Sequence, residues 1–171
     1  MLTVYPTERS RGICRFEDRE YPCALGEAGI RRTKREGDGA TPTGAFKLRR
    51  AFFRADRVPE PMSQLPVRAL SLEDGWCDDP SHRSYNRLVA LPFAGSHEIL
   101  WRDDGLYDVI IVIGHNDDPP RAPFGSAIFV HCASADYAPT KGCIALARPA
   151  LIELLPMLTP DMVLRVTEAL D

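Results

Sequence analysis

The sequence predicts a mostly β fold of the α+β class, with few short helices, in a single domain spanning residues 1–171. The length of 171 residues and the mass of 19.0 kDa suit one domain with a sizeable core. Apolar residues make up 44% of the chain and charged residues 26%, the balance of a globular protein. Short β-branched runs separated by turns, with 12 glycines and 15 prolines in the chain, indicate many brief strands.

The predicted strands are short apolar runs bounded by Gly, Pro or Asp. In chain order they are Thr3–Tyr5, Arg11–Phe16, Tyr21–Leu25, Gly44–Phe52, Arg87–Leu91, Val109–Gly114 and Ala127–Cys132. The sequence EDRE at residues 17–20 predicts a hairpin turn. The runs YDVIIVIGHN and GSAIFVHC are the most apolar and are too short for ordinary helices, which predicts two central strands.

The C-terminal part predicts one helix and one closing strand. Pro149 suits the first turn of a helix that continues through ALIELLPML, where Pro156 limits or kinks it. The run MVLRV then predicts a strand.

The segment 55–88 is rich in proline and predicts a long irregular loop of the kind that carries function. Its side chains able to stack on a ligand or hydrogen-bond to it are Trp76, Cys77, Asp78, Asp79, His82, Tyr85 and Asn86.

Charge and cysteine content narrow the classes of function. A net charge of -3 and a pI near 5.8 give no general attraction to nucleic acid, and the basic stretch 31–57 is best interpreted as solvated strand faces. No run of about 18 apolar residues predicts a membrane span, and residues 1–12 lack the pattern of a signal peptide. Five cysteines, an odd number, disfavour a disulfide scaffold.

Metal and nucleotide sites are disfavoured by spacing. The chain has no H-E-x-x-H motif and no paired C-x-x-C motifs, so no zinc site and no metal is expected. The glycine-rich segment 37–44 lacks the Gly-Lys-Ser/Thr ending of a phosphate loop and is interpreted as a structural turn.

A histidine and a cysteine twelve positions apart form the candidate reactive pair. A cysteine thiol has a pKa of about 8.5, so a nucleophilic Cys143 needs a base, which His131 can provide. Gly142 permits a tight turn that would point successive N–H groups at an oxyanion. The spacing alone leaves open both a catalytic pair and a buried structural thiol.

Two blocks of sequence carry a family resemblance. His131 is followed by Thr140-Lys141-Gly142-Cys143, and residues 29–48 read GIRRTKREGDGATPTGAFKL. With the middle blocks DGWCDDPSHRSYNRLV and SHEILWRDDGLYDVIIVIGHN, they resemble the YkuD-type L,D-transpeptidases, in a branch with a GWCDDP loop and a TxGC nucleophile motif. The resemblance spans about residues 29–166.

The resemblance implies a β-sandwich that acts on peptidoglycan without a cofactor. Cys143 would attack a stem-peptide bond at an L-to-D centre and form a thioester, which an amine resolves. His131 would be the base, oriented by the backbone carbonyl of Cys132, and Gly142 together with Cys143 would form the oxyanion hole. The partner would be a stem peptide containing diaminopimelate, and the protein would be a monomer, a target of carbapenems and a factor in cell shape.

The expected substrate-binding residues lie around this pair and in the middle of the chain. They are Thr140, Lys141, Trp76, Tyr85, Asn86, Arg87, His115 and Asn116. Two positions depart from many relatives, which have glycine at position 132 and arginine at position 145. The candidates to replace that arginine are Arg148, Arg121 and the region around Arg87.

Several alternatives stay open at this point. Water could resolve the thioester, which would make the protein an L,D-carboxypeptidase or an amidase, and a non-catalytic wall-binding module is the third hypothesis. The stem-peptide position that donates the acyl group stays open, so the product could be a 1-3 cross-link or a 3-3 cross-link. Exchange of a D-amino acid is a further possible outcome of the transfer. The substrate predicts the cell envelope or periplasm, with cytoplasmic action or non-classical export as alternatives. A Cys132–Cys143 disulfide that switches the protein off is a further hypothesis.

Overall fold

The computed structural model describes residues 1–169. The strands are β1 (Leu2–Glu8), β2 (Arg11–Phe16), β3 (Arg19–Ala24), β4 (Ile30–Arg31), β5 (Thr41–Pro42), β6 (Gly44–Phe53), β7 (Val67–Ala69), β8 (Asp74–Cys77), β9 (Leu88–Ala90), β10 (His97–Ile99), β11 (Val109–Ile113), β12 (Phe129–Cys132), β13 (Ile144–Leu146) and β14 (Val163–Val166). Helix α1 (Arg148–Leu154) and a 3-10 turn (Leu155–Met157) lie between the last two strands.

Eight strands form a closed hydrogen-bonded circuit. The order β11-β12-β13-β3-β2-β1-β14-β6 returns to β11 because the long strand β6 pairs with β14 through its first half and with β11 through its second half. Strand β7 adds to β6 in parallel. The prediction of a mostly β, sandwich-like fold with few helices is confirmed.

Strand β11 is buried on both faces, which explains its uninterrupted apolar sequence. Val109, Ile111 and Ile113 point into the main core between the two halves of the circuit. The alternate residues Ile110 and Val112 point outward, into a second apolar cluster. Side chains of a strand alternate between faces, so a strand covered on both sides has no polar positions.

A small sheet covers the second cluster. Strands β10, β8 and β9 form this sheet, and its residue Trp76 packs edge-on against Phe129 of β12, with ring centroids 5.0 Å apart. The small sheet therefore covers the outer face of β6, β11 and β12. The space between these two layers contains the cavities described below.

Helix α1 begins as the sequence predicts. Pro149 lies in its first turn, and Leu151 and Leu154 are buried in the main core. The chain tightens into the 3-10 turn at Pro156, because proline provides no N–H for an α-helical hydrogen bond.

The segment 55–88 departs from the predicted irregular loop. Strands β7 and β8 lie within it, and β8 is the central strand of the small sheet. Its sequence, DGWC, has little intrinsic β preference, and its partners lie ten or more residues further along the chain. The other unpredicted strands, β4, β5, β10 and β13, have only two or three residues, so no periodicity could reveal them.

One finding concerns membranes. Across residues 1–169, no helix has the length and apolar character needed to cross a bilayer.

Truncating a side chain in the main core should destabilise the fold strongly. Ile111 is 2% exposed, so Ile111→Ala should lower the free energy of unfolding by about 2–5 kcal/mol through lost burial and the cavity left behind. Urea unfolding would measure this. Ile99→Ala, at a side chain that is 52% exposed, is the matched control and should change stability by less than about 0.5 kcal/mol. Equal effects would contradict the assignment of Ile111 to the core.

Candidate active site

The candidate site is a cleft of about 410 Å³ on the outer face of β12 and β13, beneath the small sheet. Cys143 and His131 both line it, together with the loop 138–141. We call it the Cys143 cleft. The parallel pairing of β12 with β13 brings the two residues together, because it places Val130 beside Ile144 and His131 beside Ala145.

The thiol of Cys143 is buried and held by main-chain groups. Its Sγ lies 3.2 Å from the carbonyl oxygen of Ala127, to which it donates, and 3.3 Å from the N–H of Phe129, which donates to it. Burial raises the pKa of the Cys143 thiol to about 12, and the carboxylate of Glu98 acts in the same direction. The side chain of Cys143 is therefore a protonated thiol at neutral pH.

The imidazole of His131 is also buried, and its tautomer is set by the backbone. Nδ1 lies 2.9 Å from the carbonyl oxygen of Cys132, and because a carbonyl only accepts, Nδ1 carries the proton and Nε2 keeps a free lone pair. Burial lowers the pKa of His131 to about 4. The resting pair is thus a neutral thiol and a neutral base, rather than an ion pair.

The thiol of Cys132 faces away from the cleft. Successive side chains of a strand point to opposite faces, so when His131 faces the cleft, Cys132 faces the main core, where its Sγ lies 3.8 Å from the carbonyl oxygen of Val109. The hypothesis of a Cys132–Cys143 disulfide switch is therefore wrong for this fold, and all five cysteines are free.

The turn before the nucleophile requires glycine. Gly142 has φ of +133°, and a Cβ there would lie 2.8 Å from the carbonyl oxygen of Ala40. Thr140 braces the turn: its hydroxyl donates to the carbonyl of Cys143 at 2.7 Å and accepts the N–H of Gly142 at 3.1 Å. The Gly142 N–H, which the sequence analysis assigns to an oxyanion hole, therefore has an intramolecular partner in this structure.

Three carboxylates, which the sequence analysis did not assign to the site, line the Cys143 cleft. Asp78 and Glu98 lie on the face of the small sheet that carries Trp76, since Glu98 is the register partner of Trp76 and Asp78 follows it by two residues. Among residues 1–169, Asp78 Oδ1 and Glu98 Oε2 are buried without a hydrogen-bond partner. Burial raises the pKa of Glu98. Glu36 is the third carboxylate, and it accepts hydrogen bonds from Tyr85 and Ser126.

These acids were missed because their position depends on strand pairing. Glu98 belongs to the three-residue strand β10, and only its register with β8 places it beside the cleft. Asp78 was singled out in the sequence as a ligand-binding candidate, but no pattern connected it with Cys143.

The predicted substrate-binding residues divide between two places. Thr140 and Lys141 line the Cys143 cleft. Trp76, Asn86, Arg87 and His115 line a second cavity, of about 370 Å³, on the other side of Phe129.

Three of the predicted residues serve as supports within the protein. The side chain of Asn86 accepts from Trp76 Nε1 at 2.9 Å and from the N–H of Ala127, and it donates to the carbonyls of His115 and Asn116. Tyr85 bonds to Glu36 and accepts the N–H of Gly125. The amide of Asn116 holds the loop at Arg121 and Gly125.

Position 145, where many relatives have arginine, lies directly beside His131. Ala145 is the register partner of His131 and is buried in the wall of the cleft. Arg148 forms an ion pair with Asp108 instead of reaching the cleft. The guanidinium in the cleft lining belongs to Arg102, which lies 5.1 Å from the ring centre of Tyr107.

Metal coordination has no candidate among residues 1–169: they contain no group of three or more His, Cys, Asp or Glu side chains arranged to hold an ion.

Comparison with known proteins gives one match. The family model YkuD, described as the L,D-transpeptidase catalytic domain, matches residues 6–166. No curated protein and no solved structure matches the chain. The matched range contains His131, Cys143 and every residue that lines the Cys143 cleft.

The protonated state of the resting thiol has a direct chemical readout. Because the pKa of Cys143 is about 12, its alkylation by iodoacetamide in the absence of substrate should be slower than that of glutathione at pH 8. The rate should rise close to tenfold per pH unit between pH 7 and 10, since only the thiolate reacts. Peptide mapping by mass spectrometry would follow Cys143 alone. A plateau below pH 9 would indicate a stabilised thiolate and would contradict this assignment.

Proposed function

Because the chain belongs to the family of YkuD L,D-transpeptidase catalytic domains, we propose that it is a peptidoglycan L,D-transpeptidase with Cys143 as nucleophile and His131 as base. The observation that carries the proposal is that a hydrogen-bonded thiol, directly before β13, and a neutral imidazole on β12 line the same cleft. The site of action is the cell wall, which is the substrate of the family.

The first half of the reaction is acylation of the thiol. Nε2 of His131 takes the proton as Cys143 Sγ attacks the carbonyl carbon of the L-centre in a stem peptide. The proton moves during the attack, because a thiol with a high pKa and an imidazole with a low one do not form an ion pair beforehand. The N–H of Phe129, 3.3 Å from Sγ, stabilises the negative charge on sulfur.

Collapse of the tetrahedral intermediate then releases the D-residue. The oxyanion is stabilised by the main-chain N–H of Cys143, with that of Gly142 added when its bond to Thr140 is exchanged for one to substrate. His131 gives its proton to the leaving amine, which leaves a thioester on Cys143. No cofactor takes part in these steps.

The second half of the reaction is aminolysis of the thioester. The carboxylates of Asp78 and Glu98, which we call the acidic wall of the cleft, favour an amine over water as the acceptor. Two buried carboxylate oxygens, on Asp78 and Glu98, have no partner among residues 1–169 and lie on residues that line the same cleft. Buried acceptors cost free energy unless a donor meets them, and the side-chain ammonium group of a diaminopimelate residue is such a donor. The ammonium group first gives one proton to the Glu98 carboxylate, and the neutral amine then attacks the thioester carbonyl. Nε2 of His131 takes the second proton from the attacking nitrogen and returns it to the departing sulfur, so an amide forms and Cys143 is released as a thiol.

Loss of the nucleophile should abolish both half-reactions. Incubation of wild type with disaccharide-peptide monomers should give an adduct on Cys143 by intact-protein mass and cross-linked dimers by tandem mass spectrometry. Cys143→Ala should give neither. Cys132→Ala removes a thiol on the opposite strand face and should retain activity within a few-fold. Trimmed monomers in place of dimers would identify water as the acceptor, and an adduct on Cys143→Ala would refute the assignment of the nucleophile.

The acidic wall can be tested separately from the nucleophile. Glu98→Gln keeps the shape of the side chain and removes its charge, so the ratio of aminolysis to hydrolysis of the acyl-enzyme should fall about ten- to a hundredfold, the value of one charge-assisted hydrogen bond. Acylation should stay unchanged or become faster, because the Glu98 carboxylate raises the pKa of Cys143.

Rapid-quench mass spectrometry would measure both rates. Glu60→Gln, at an exposed position outside the cleft, is the control and should alter neither. A purely structural role of Glu98 would slow acylation and aminolysis alike, which would contradict the proposed contact with the amine.

A further inference from the structure

The second cavity shares a wall with the Cys143 cleft and has the opposite charge. Residues on the outer face of three neighbouring strands follow one another in register: Arg50 of β6 pairs with Val112 of β11, which pairs with Phe129 of β12. Ile128 lines both the cavity and the cleft, and Phe129 and Trp76, packed edge-on, line the cavity beside it. We call it the arginine cavity, after Arg49, Arg50 and Arg87 in its lining.

Two of the three guanidinium groups are not neutralised. Arg49 is bound to both carboxylate oxygens of Asp117, at 2.7 and 3.1 Å. Within residues 1–169, Arg50 and Arg87 form no ion pair. His115 adds no charge, because burial lowers its pKa.

The floor of the arginine cavity is apolar. Phe52, Val112 and Phe129 form it, with exposed fractions of 0%, 6% and 1%, and Trp76 forms one side. Asn86, the amide in the lining, is committed to protein partners on both its oxygen and its nitrogen. Within residues 1–169, the charged groups of this lining that have no ion-pair partner are the guanidinium groups of Arg50 and Arg87, directly beside an aliphatic and aromatic surface.

We propose that the arginine cavity is a second binding site, which takes the free carboxylate end of a short peptide with a small aliphatic side chain. Arg50 and Arg87 bind the carboxylate, since guanidinium groups match its planar pair of oxygens, and the side chain covers the apolar floor. A volume of about 370 Å³ lies near the lower end of ligand cavities, about 300–1,000 Å³. That size suits a chain end rather than a folded segment. An inorganic anion would leave the floor uncovered.

The test uses a small probe and a protein that cannot react. Cys143→Ala is titrated with N-acetyl-D-alanine and, separately, with N-acetyl-D-alanine amide, while NMR follows the indole N–H of Trp76 in the cavity wall. Trp101→Phe in the same background assigns the signal, because the chain has two tryptophans. The acid should shift the Trp76 signal in a saturable way, and the amide should bind at least tenfold more weakly.

Charge-removing variants locate the ligand. Arg50→Gln and Arg87→Gln should each raise the Kd of the acid at least tenfold, the value of one charge-assisted contact. Arg83→Gln is the matched control, because Arg83 belongs to the same segment as Arg87, is exposed and lies outside the cavity lining, and it should leave the Kd unchanged. Urea unfolding of each variant checks that the fold is kept.

Three results would overturn the proposal. Equal binding of acid and amide would show that no carboxylate is recognised. Loss of binding in Lys141→Ala or Arg102→Gln, but not in the Arg50 and Arg87 variants, would place the ligand in the Cys143 cleft. Inorganic phosphate that competes as strongly as N-acetyl-D-alanine would indicate a simple anion site. None of these measurements requires turnover, so failure of the transpeptidase proposal would leave the outcome readable.

Discussion

The two-residue alternation of side chains along β12 is the constraint on which the site depends. This strand is buried on both faces, so each residue belongs either to the main core or to the layer beneath the small sheet. Phe129 and His131 face outward, while Val130 and Cys132 face inward. A shift of register by one residue would exchange the base with a core thiol. The pairing of β12 with β11 and β13 therefore determines the chemistry as well as the fold.

Burial gives the pair its electrostatic character. Both groups are neutral at rest, because taking a charge out of water is costly for the thiolate and for the imidazolium alike. Such a pair relies on substrate to complete its environment. The cleft contributes two buried carboxylate oxygens, on Asp78 and Glu98, that no donor in the described part of the chain meets, and these favour a cationic group near the thiol. A positive charge beside Glu98 would act against the effect of its carboxylate, which raises the pKa of the Cys143 thiol.

Local sequence predicted the elements whose signal is local. The hairpin of β2 and β3, the central strands β11 and β12 and the helix at Pro149 follow from apolar runs, turn residues and proline. The motif also predicted that His131 and Cys143 lie near each other, and both line the Cys143 cleft. The small sheet was not predicted, because β8 and β10 are held by partners distant in sequence. Glu98 was therefore missed, and Asp78 was not connected with Cys143. Asn86 has the composition of a ligand contact, and only the hydrogen bonds of the folded chain identify it as a support.

The orientation of Cys132 has a consequence for damage by oxidants. Cys143 stays protonated and therefore reacts slowly with peroxide, because peroxide oxidises the thiolate and not the thiol. A sulfenic acid that did form there would have no resolving thiol at Cys132, its nearest cysteine in sequence, which faces the other side of the sheet. Further oxidation to the sulfinic acid would then be irreversible. The fold therefore protects Cys143 by making the first oxidation slow, and not by making it repairable.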